Sequence, residues 1–181
     1  ILARIGLHLL RPGAGGPAPS PAAVSVLTAD VENRTGDPMF DGVLEQLLSI
    51  GLGGAENISV YERGQARDLI RRIDPAAEGL LTPRNTRLLC LREGIQAVVS
   101  ASLRQEKNAY LVAVRAQDPV KGKVLAETNQ SIREKKDILK IADLISARLR
   151  DGLGLIPGDS SEALIKETFT TTSLEAMKAY V

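Results

Sequence analysis

The sequence predicts an α/β fold: a mixed five-stranded sheet with helices packed against it, in the order β-α-β-α-α-β-β-β-α. Three observations carry that prediction. A β-favouring apolar run stands at Ala23 to Ala29. A capping side chain followed by proline recurs at Asp37-Pro38 and Thr82-Pro83, each ahead of a helical apolar pattern. From Ile95 the apolar period shortens to two. The early strand–helix units favour parallel pairing, whereas strands joined by short polar turns pair antiparallel, so the sheet is expected to be mixed.

The first strand is "AVSVLTA", largely apolar as a strand covered on both faces would be. The loop "ADVENRTGDPMFD" follows, and Asp37-Pro38 supplies a cap and a proline at the first helical position. Phe40, Leu44, Leu47 and Leu48 share one helical face, and the glycines from Gly51 to Gly54 end that helix. "ISVYE", Ile58 to Glu62, is a short second strand. Ala66, Leu69, Ile70 and Ile73 then make an i, i+3, i+4, i+7 stripe on a second helix that Asp74-Pro75 stops. The third helix opens at Thr82-Pro83, carries Leu88, Leu89 and Cys90, and closes at Gly94. In the next strand Ile95, Ala97, Val99, Ala101 and Leu103 face one way, with Gln96, Ser100, Ser102 and Arg104 opposite. A turn at Gln105 to Asn108 leads to Tyr110, Val112, Val114 and Ala116. A second turn at Asp118 to Gly122 leads to Val124, Ala126 and Thr128, alternating with Leu125, Glu127 and Asn129. A long helix from about Lys136 to Leu153 puts Ile138, Ile141, Ala142, Ile145 and Leu149 on the sheet, with Lys140, Arg148 and Arg150 off that stripe.

These elements divide the chain into a membrane-proximal segment with a Pro/Gly linker at 1-21, an α/β domain at 22-154, and a linker with the start of a helix at 155-181. The first ten residues, "ILARIGLHLL", are apolar. They fit either the exit end of a membrane-spanning helix or an ordinary amphipathic end, and the residues alone leave both readings open. Thr172-Ser-Leu-Glu175 has capping-box spacing and opens a final helix.

Composition excludes several functions. With 44% hydrophobic and 25% charged residues over 181 positions, the chain has the make-up of a soluble globular protein. A net charge of +1 and 3% aromatics supply neither a basic field for a phosphate backbone nor a stacking platform, so nucleic acid is not an expected partner. His8 lies ahead of the linker, and there is no Cys/His cluster with metal-ligand spacing, no G-x-S-x-G and no G-x-x-x-x-G-K-[ST]. No catalytic residue, metal site or cofactor is expected. Cys90 reads as a small buried hydrophobe, since no His or second Cys is available to activate it. "GLGGAE" follows a helix and precedes a strand, the reverse of the order phosphate binding needs, and reads as a helix stop.

The loop after the first strand is the candidate contact site. Gly36 precedes a helix amino terminus, where anions can bind, but Asp30, Glu32, Asp37 and Asp41 make the loop acidic. Asp37 has sufficient work as a cap. Asp30, Glu32, Asn33 and Arg34 are left as residues for a ligand or partner, and Asn33-Arg34-Thr35 also fits the N-glycosylation pattern. The basic clusters "RRID" and "SIREKKDILK" read as solvated faces.

Several stretches taken together resemble the TolB-like amino-terminal domain. They are "VSVLTADVENRTGDPMFDGVLEQLL", "ISVYER", "LREGIQAVVSASLRQEKNAYLVAVRAQDPVKGKVL" and "DILKIADLISARLRDGL". The resemblance spans about Ala22 to Leu153 and departs from the family where "LTADVEN" stands in place of a Pro-Phe pair before Glu-Asn. Members occur in bacteria behind serine/threonine kinases, adenylate cyclases or winged-helix regulators, commonly ahead of tetratricopeptide repeats. "TTTSLEAMKAYV" resembles the first repeat helix of the kinase-fused members. The resemblance implies a fold akin to anticodon-binding domains and an extracytoplasmic, periplasmic position behind a transmembrane helix, with a cytoplasmic position as the alternative. It brings no catalytic residues. The expected function is a non-catalytic sensing or protein-interaction domain of a membrane-anchored signalling protein. The alternative is a small-ligand or nucleotide-binding domain using the 30-37 loop.

Overall fold

The computed structural model describes residues 23–153. The predicted membrane-proximal segment and Pro/Gly linker, His8 and the predicted tail helix lie outside the described residues. Within them run the strands β1 (Val24–Thr28), β2 (Glu32–Arg34), β3 (Ile58–Val60), β4 (Ala97–Glu106), β5 (Ala109–Gln117) and β6 (Val124–Ile132). The helices are α1 (Val43–Gly53), α2 (Arg63–Ile73), α3 (Pro83–Glu93) and α4 (Ile138–Gly152). The predicted α/β class and mixed sheet are present, in the order β3-β1-β4-β5-β6. β1 pairs in parallel with β3 and β4, and the β4–β5–β6 meander is antiparallel.

The sheet gains a sixth strand that residue patterning did not predict. β2 continues the line of β1 along β4: Thr28 pairs with Val99 and Glu32 with Ser102, so the β1–β2 chain spends one residue more than β4 over the same span. That extra residue makes a bulge at Ala29–Val31. The chain "ENR" has no apolar alternation of its own, and the backbone of β4 makes it a strand.

Two apolar layers hold the sheet between helices. α1 and α4 cover one face, where Leu44, Leu47, Leu48, Ile138, Ala142, Ile145 and Leu149 meet Val26, Val99, Leu103, Val112 and Val114. α2 and α3 cover only part of the other face, over Leu27, Ile95 and Val98, with Ala66, Ile70, Leu81, Leu89 and Cys90. Beyond Val98, among the described residues, the helices reach that face only at its margin, where Pro83 of α3 borders a depression with Ser100 and Ser102.

Several boundaries differ from the sequence reading, each for a local reason. Asp37 accepts from the Met39 N–H and Pro38 follows it, but they cap a single 3-10 turn, Pro38–Phe40. α1 begins at Val43, after Gly42 turns the chain at φ 76°. β3 ends at Val60 because Glu62 caps α2, its carboxylate accepting from the Gly64 and Gln65 N–H groups. Thr82 caps α3 through the Asn85 N–H, as expected. Ile95 belongs with the α2/α3 layer rather than with Ala97, because its N–H still bonds Cys90 O at the end of α3. Of the apolar residues that α3 carries, Leu89 and Cys90 are buried and Leu88 is half exposed. Arg150, expected off the buried stripe, is buried; it donates to Gly51 O at 2.6 Å, satisfying a carbonyl at the carboxy-terminal end of α1.

Candidate interaction surface

The acidic loop resolves into two sides. Asp30 and Asn33 spend their polar atoms inside the protein, while Glu32 and Arg34 face out. Asp30 lies in the bulge, where the chain cannot pair regularly with β4 and its backbone groups need other partners. Its N–H donates to Leu81 O at 2.9 Å, and its Oδ2 accepts from the Leu81 N–H at 2.7 Å. Its Oδ1 accepts from Arg63 at 2.7 Å and from Arg67 at 2.8 Å. Arg63 also donates to the carbonyls of Thr28 and Ala29 at 3.1 and 3.0 Å. From the other side of the sheet, Glu45 of α1 accepts from the Val31 N–H at 2.9 Å. The bulge is thereby tied to α1, to α2 and to the segment leading into α3.

Glu45 is the unusual member of this cluster. It is 7% exposed, and its Oε2 has no hydrogen-bond partner among the described residues. Burial pushes its carboxyl above the usual range, against the lowering effect of the Val31 N–H and the Arg63 charge. Sequence gave no sign of it, because a lone Glu in a helix is ordinarily solvated. Asn33 organises the rest of the loop. Its amide donates to Asp37 O and to the Asp41 carboxylate, and its Oδ1 accepts from the Thr35 N–H and hydroxyl. Lys135 pairs with Asp37.

Glu32 and Arg34 lie in β2 opposite Ser102 and Arg104, on the sheet face that α2 and α3 leave open. They are exposed and pair with each other. Across the meander the same face continues in rows: Ser100, Arg115 and Glu127; Ser102, Ala113 and Asn129; Arg104, Leu111 and Ser131. Arg115 and Glu127 bridge at 3.0 Å, and Arg104 pairs with Glu106. Two adjoining depressions of about 490 and 330 Å³ lie on this face. A third, of about 500 Å³, runs between α3 and the β5–β6 turn, past Leu88, Leu91, Val98 and Pro119. Two of the four predicted contact residues thus stand on one extended surface, and Asp30 and Asn33 hold the segment that presents them.

Cys90 is buried under α2, and burial pushes its thiol up to about 12, so it is a packing residue, as the sequence predicts. Among the described residues no group of three His, Cys, Asp or Glu side chains is arranged to hold a metal ion, and no helix is long and apolar enough to cross a membrane.

No family model matches the chain, and no curated protein matches it in sequence. Its fold is shared with solved structures of low identity. The carboxy-terminal domain of LpoB from Salmonella enterica superposes with a TM-score of 0.54 at 15% identity, over 64% of this chain and 87% of that one. TolB from Acinetobacter baumannii gives 0.52 at 16%, over 76% of this chain and 30% of the TolB chain. Lipoprotein GNA1162 from Neisseria meningitidis gives 0.52 at 16%, over 74% of this chain and 99% of that one. The architecture is therefore one shared by part of TolB, by the LpoB domain and by lipoprotein GNA1162, and the likeness to TolB agrees with the resemblance of the sequence stretches.

Proposed function

We propose that this chain is a non-catalytic protein-interaction domain of a larger protein, and that its open sheet face, from β2 across β4 to β6, is the contact surface. One observation carries the reading. Among the described residues the sheet is covered by α1 and α4 on one face and only in part by α2 and α3 on the other, and the uncovered part presents Glu32, Arg34, Arg104, Arg115, Glu127 and Asn129 around small Ser and Ala side chains. Small residues keep such a surface flat, and its charged groups of both signs supply orientation more than affinity. The charged groups at the end of β1, Asp30, Arg63 and Arg67, are bound into the bulge. The lipoprotein among the structures that share the fold, and the resemblance of the sequence stretches, support an extracytoplasmic position with attachment to the membrane ahead of residue 22. A signalling protein carrying a kinase or cyclase is the context that the resemblance suggests.

A second reading has its own observation: the depression lined by Glu32, Ser100, Ser102, Arg115 and Glu127 offers convergent donors and acceptors to a small polar ligand. Two measurements separate them. Photo-crosslinking groups placed at Arg104 or Arg115 capture a discrete protein partner in the native host under the first reading, while one at the exposed Glu56, beside the opposite edge strand β3, captures none. Thermal-shift screening against nucleotides, sugars, peptidoglycan fragments and divalent ions gives a stabilisation abolished by Glu32→Ala under the second. No capture at either position, together with such a stabilisation, overturns the first reading.

A further inference from the structure

We propose that β6 is a pairing edge for a second copy of this chain, giving a two-fold dimer with a sheet continuous across both protomers. The two edges of the sheet are built differently. β3 closes one side with three residues, Ile58–Val60, too short a template to recruit a strand. β6 closes the other with nine, Val124–Ile132, and among the described residues pairs only with β5. Exposed edges are ordinarily blunted by Lys or Pro, yet "VLAETNQSI" contains neither. Its one charge, Glu127, is bound to Arg115 on β5. The irregularity near Leu125 leaves the rest of the strand regular.

A second copy fits this edge in a specific register. Antiparallel pairing about Thr128 keeps to the regular part of the strand, beyond the irregularity at Leu125, and opposes Glu127 to the Asn129 of the second copy and Ala126 to Gln130. No like charges meet. Moving the axis to Glu127 would oppose two carboxylates, so charge excludes the register on that side.

The helix beside the edge supplies the apolar part. Arg148 donates to the Thr128 hydroxyl at 3.2 Å, and Gly152 lies against Ala126, which sets one side of α4 over β6. Ile141, Leu144, Arg148 and Asp151 fall on that side at heptad spacing, and Leu144 is 44% exposed. A helix above the last strands of each protomer comes within about 8–10 Å of its two-fold mate, the ordinary packing distance. Ile141 and Leu144 are then covered, and Arg148 and Asp151 present opposite charges across the axis. The same patch serves both protomers, as a closed two-fold interface requires.

The test uses the full 181-residue chain. Sedimentation equilibrium of the wild type should give a dimer, and Leu144→Lys should raise the dissociation constant at least tenfold while leaving the circular dichroism and melting temperature near wild type. Glu127→Cys combined with Asn129→Cys sets exposed thiols opposite each other across the axis, and mild oxidation should yield a covalent dimer on a non-reducing gel. Cys90, being buried, does not contribute such a product. A wild type that stays monomeric to about 100 µM overturns the proposal, and so does a dimer indifferent to Leu144→Lys in which the double cysteine variant does not cross-link. Hydrogen exchange over 124–132 gives a readout independent of variants: protection that disappears on dilution supports edge pairing, and protection unchanged by dilution overturns it.

Discussion

Replacing Asp30 by Ala tests the claim that this residue is the knot of the bulge. The loss has three parts. The Leu81 N–H, bonded at 2.7 Å, is left without its acceptor in a part-buried site, at a cost of about 1–2 kcal/mol. Arg63, whose side chain is 18% exposed, loses its carboxylate but keeps the Thr28 and Ala29 carbonyls, for about 1–2 kcal/mol after allowance for solvent. Arg67, at 38% exposure, adds at most about 0.5 kcal/mol. The expected destabilisation is about 2–4 kcal/mol. With an m-value of about 1.5 kcal/mol/M, the urea midpoint should fall by roughly 1.5–2.5 M. A double-mutant cycle of Asp30→Ala with Arg63→Ala should show a coupling of about 1 kcal/mol or more, since the two groups touch. A midpoint shift below about 0.3 M, or strict additivity in the cycle, would refute the reasoning and return Asp30 to the list of free contact residues.

Other consequences follow from single contacts. Glu45 has a raised carboxyl pKa in the folded chain, so the folded state holds its proton more tightly than the unfolded one. Its contribution to stability is greatest below the ordinary value of 4.5, falls as pH rises from there through the raised folded pKa, and is level above it. The stability difference between wild type and Glu45→Gln, followed by urea titration across that window, should move in favour of the variant as pH rises; a difference independent of pH contradicts it. Gly152→Ala would bring a Cβ to 2.4 Å from Ala126 Cβ and 2.8 Å from Leu125 O, so it should cost about 1–3 kcal/mol by thermal melting. Leu103→Ala, at a fully buried position of β4 in the layer under α1 and α4, should cost about 2–5 kcal/mol in the same measurement. Cys90, with its thiol pushed up to about 12, should react with a thiol reagent at pH 8 only at the rate of global opening, which labelling with and without denaturant distinguishes.

Local patterns were enough to read most of the fold. The period-two run from Ala97, the capping Thr82-Pro83 and the stripe of Ile138, Ala142, Ile145 and Leu149 are each set by neighbours in sequence, and each element formed where its pattern lay. What was hidden depends on partners far along the chain. β2 exists because β4 lies beside it, some seventy residues away, and nothing in "ENR" favours a strand. Asp30 was visible as an acid after a strand, but its partners lie 33 and 37 residues on. A faint signal was available there: Arg63 and Arg67 are spaced i, i+4, so they share one side of α2 and can converge on one carboxylate. Arg150 was misread because its amphipathic stem hides a head that finds the end of another helix. The open face was half legible. The polar members Ser100, Ser102 and Arg104 alternate plainly, but only the packing shows that α2 and α3 stop short of them.

The two halves of the acidic loop meet at the end of β1. In an open sheet with parallel strands, ligands enter the crevice beyond the carboxyl ends of strands whose connections leave in opposite directions. Here that place is the end of β1, next to β4, and the chain fills it with itself. β2 continues along β4, Arg63 donates into the carbonyls of Thr28 and Ala29, and both carboxylate oxygens of Asp30 are taken. The groups that would greet a nucleotide at the strand end are the groups that close the bulge. The bulge adds one residue, so the side chains after it follow the pleat of β4 again, with Glu32 and Arg34 beside Ser102 and Arg104 on the uncovered face. Closing the crevice and furnishing the open face are therefore one structural act, and a substitution that loosens Asp30 should disturb the presentation of Glu32 and Arg34 without touching either.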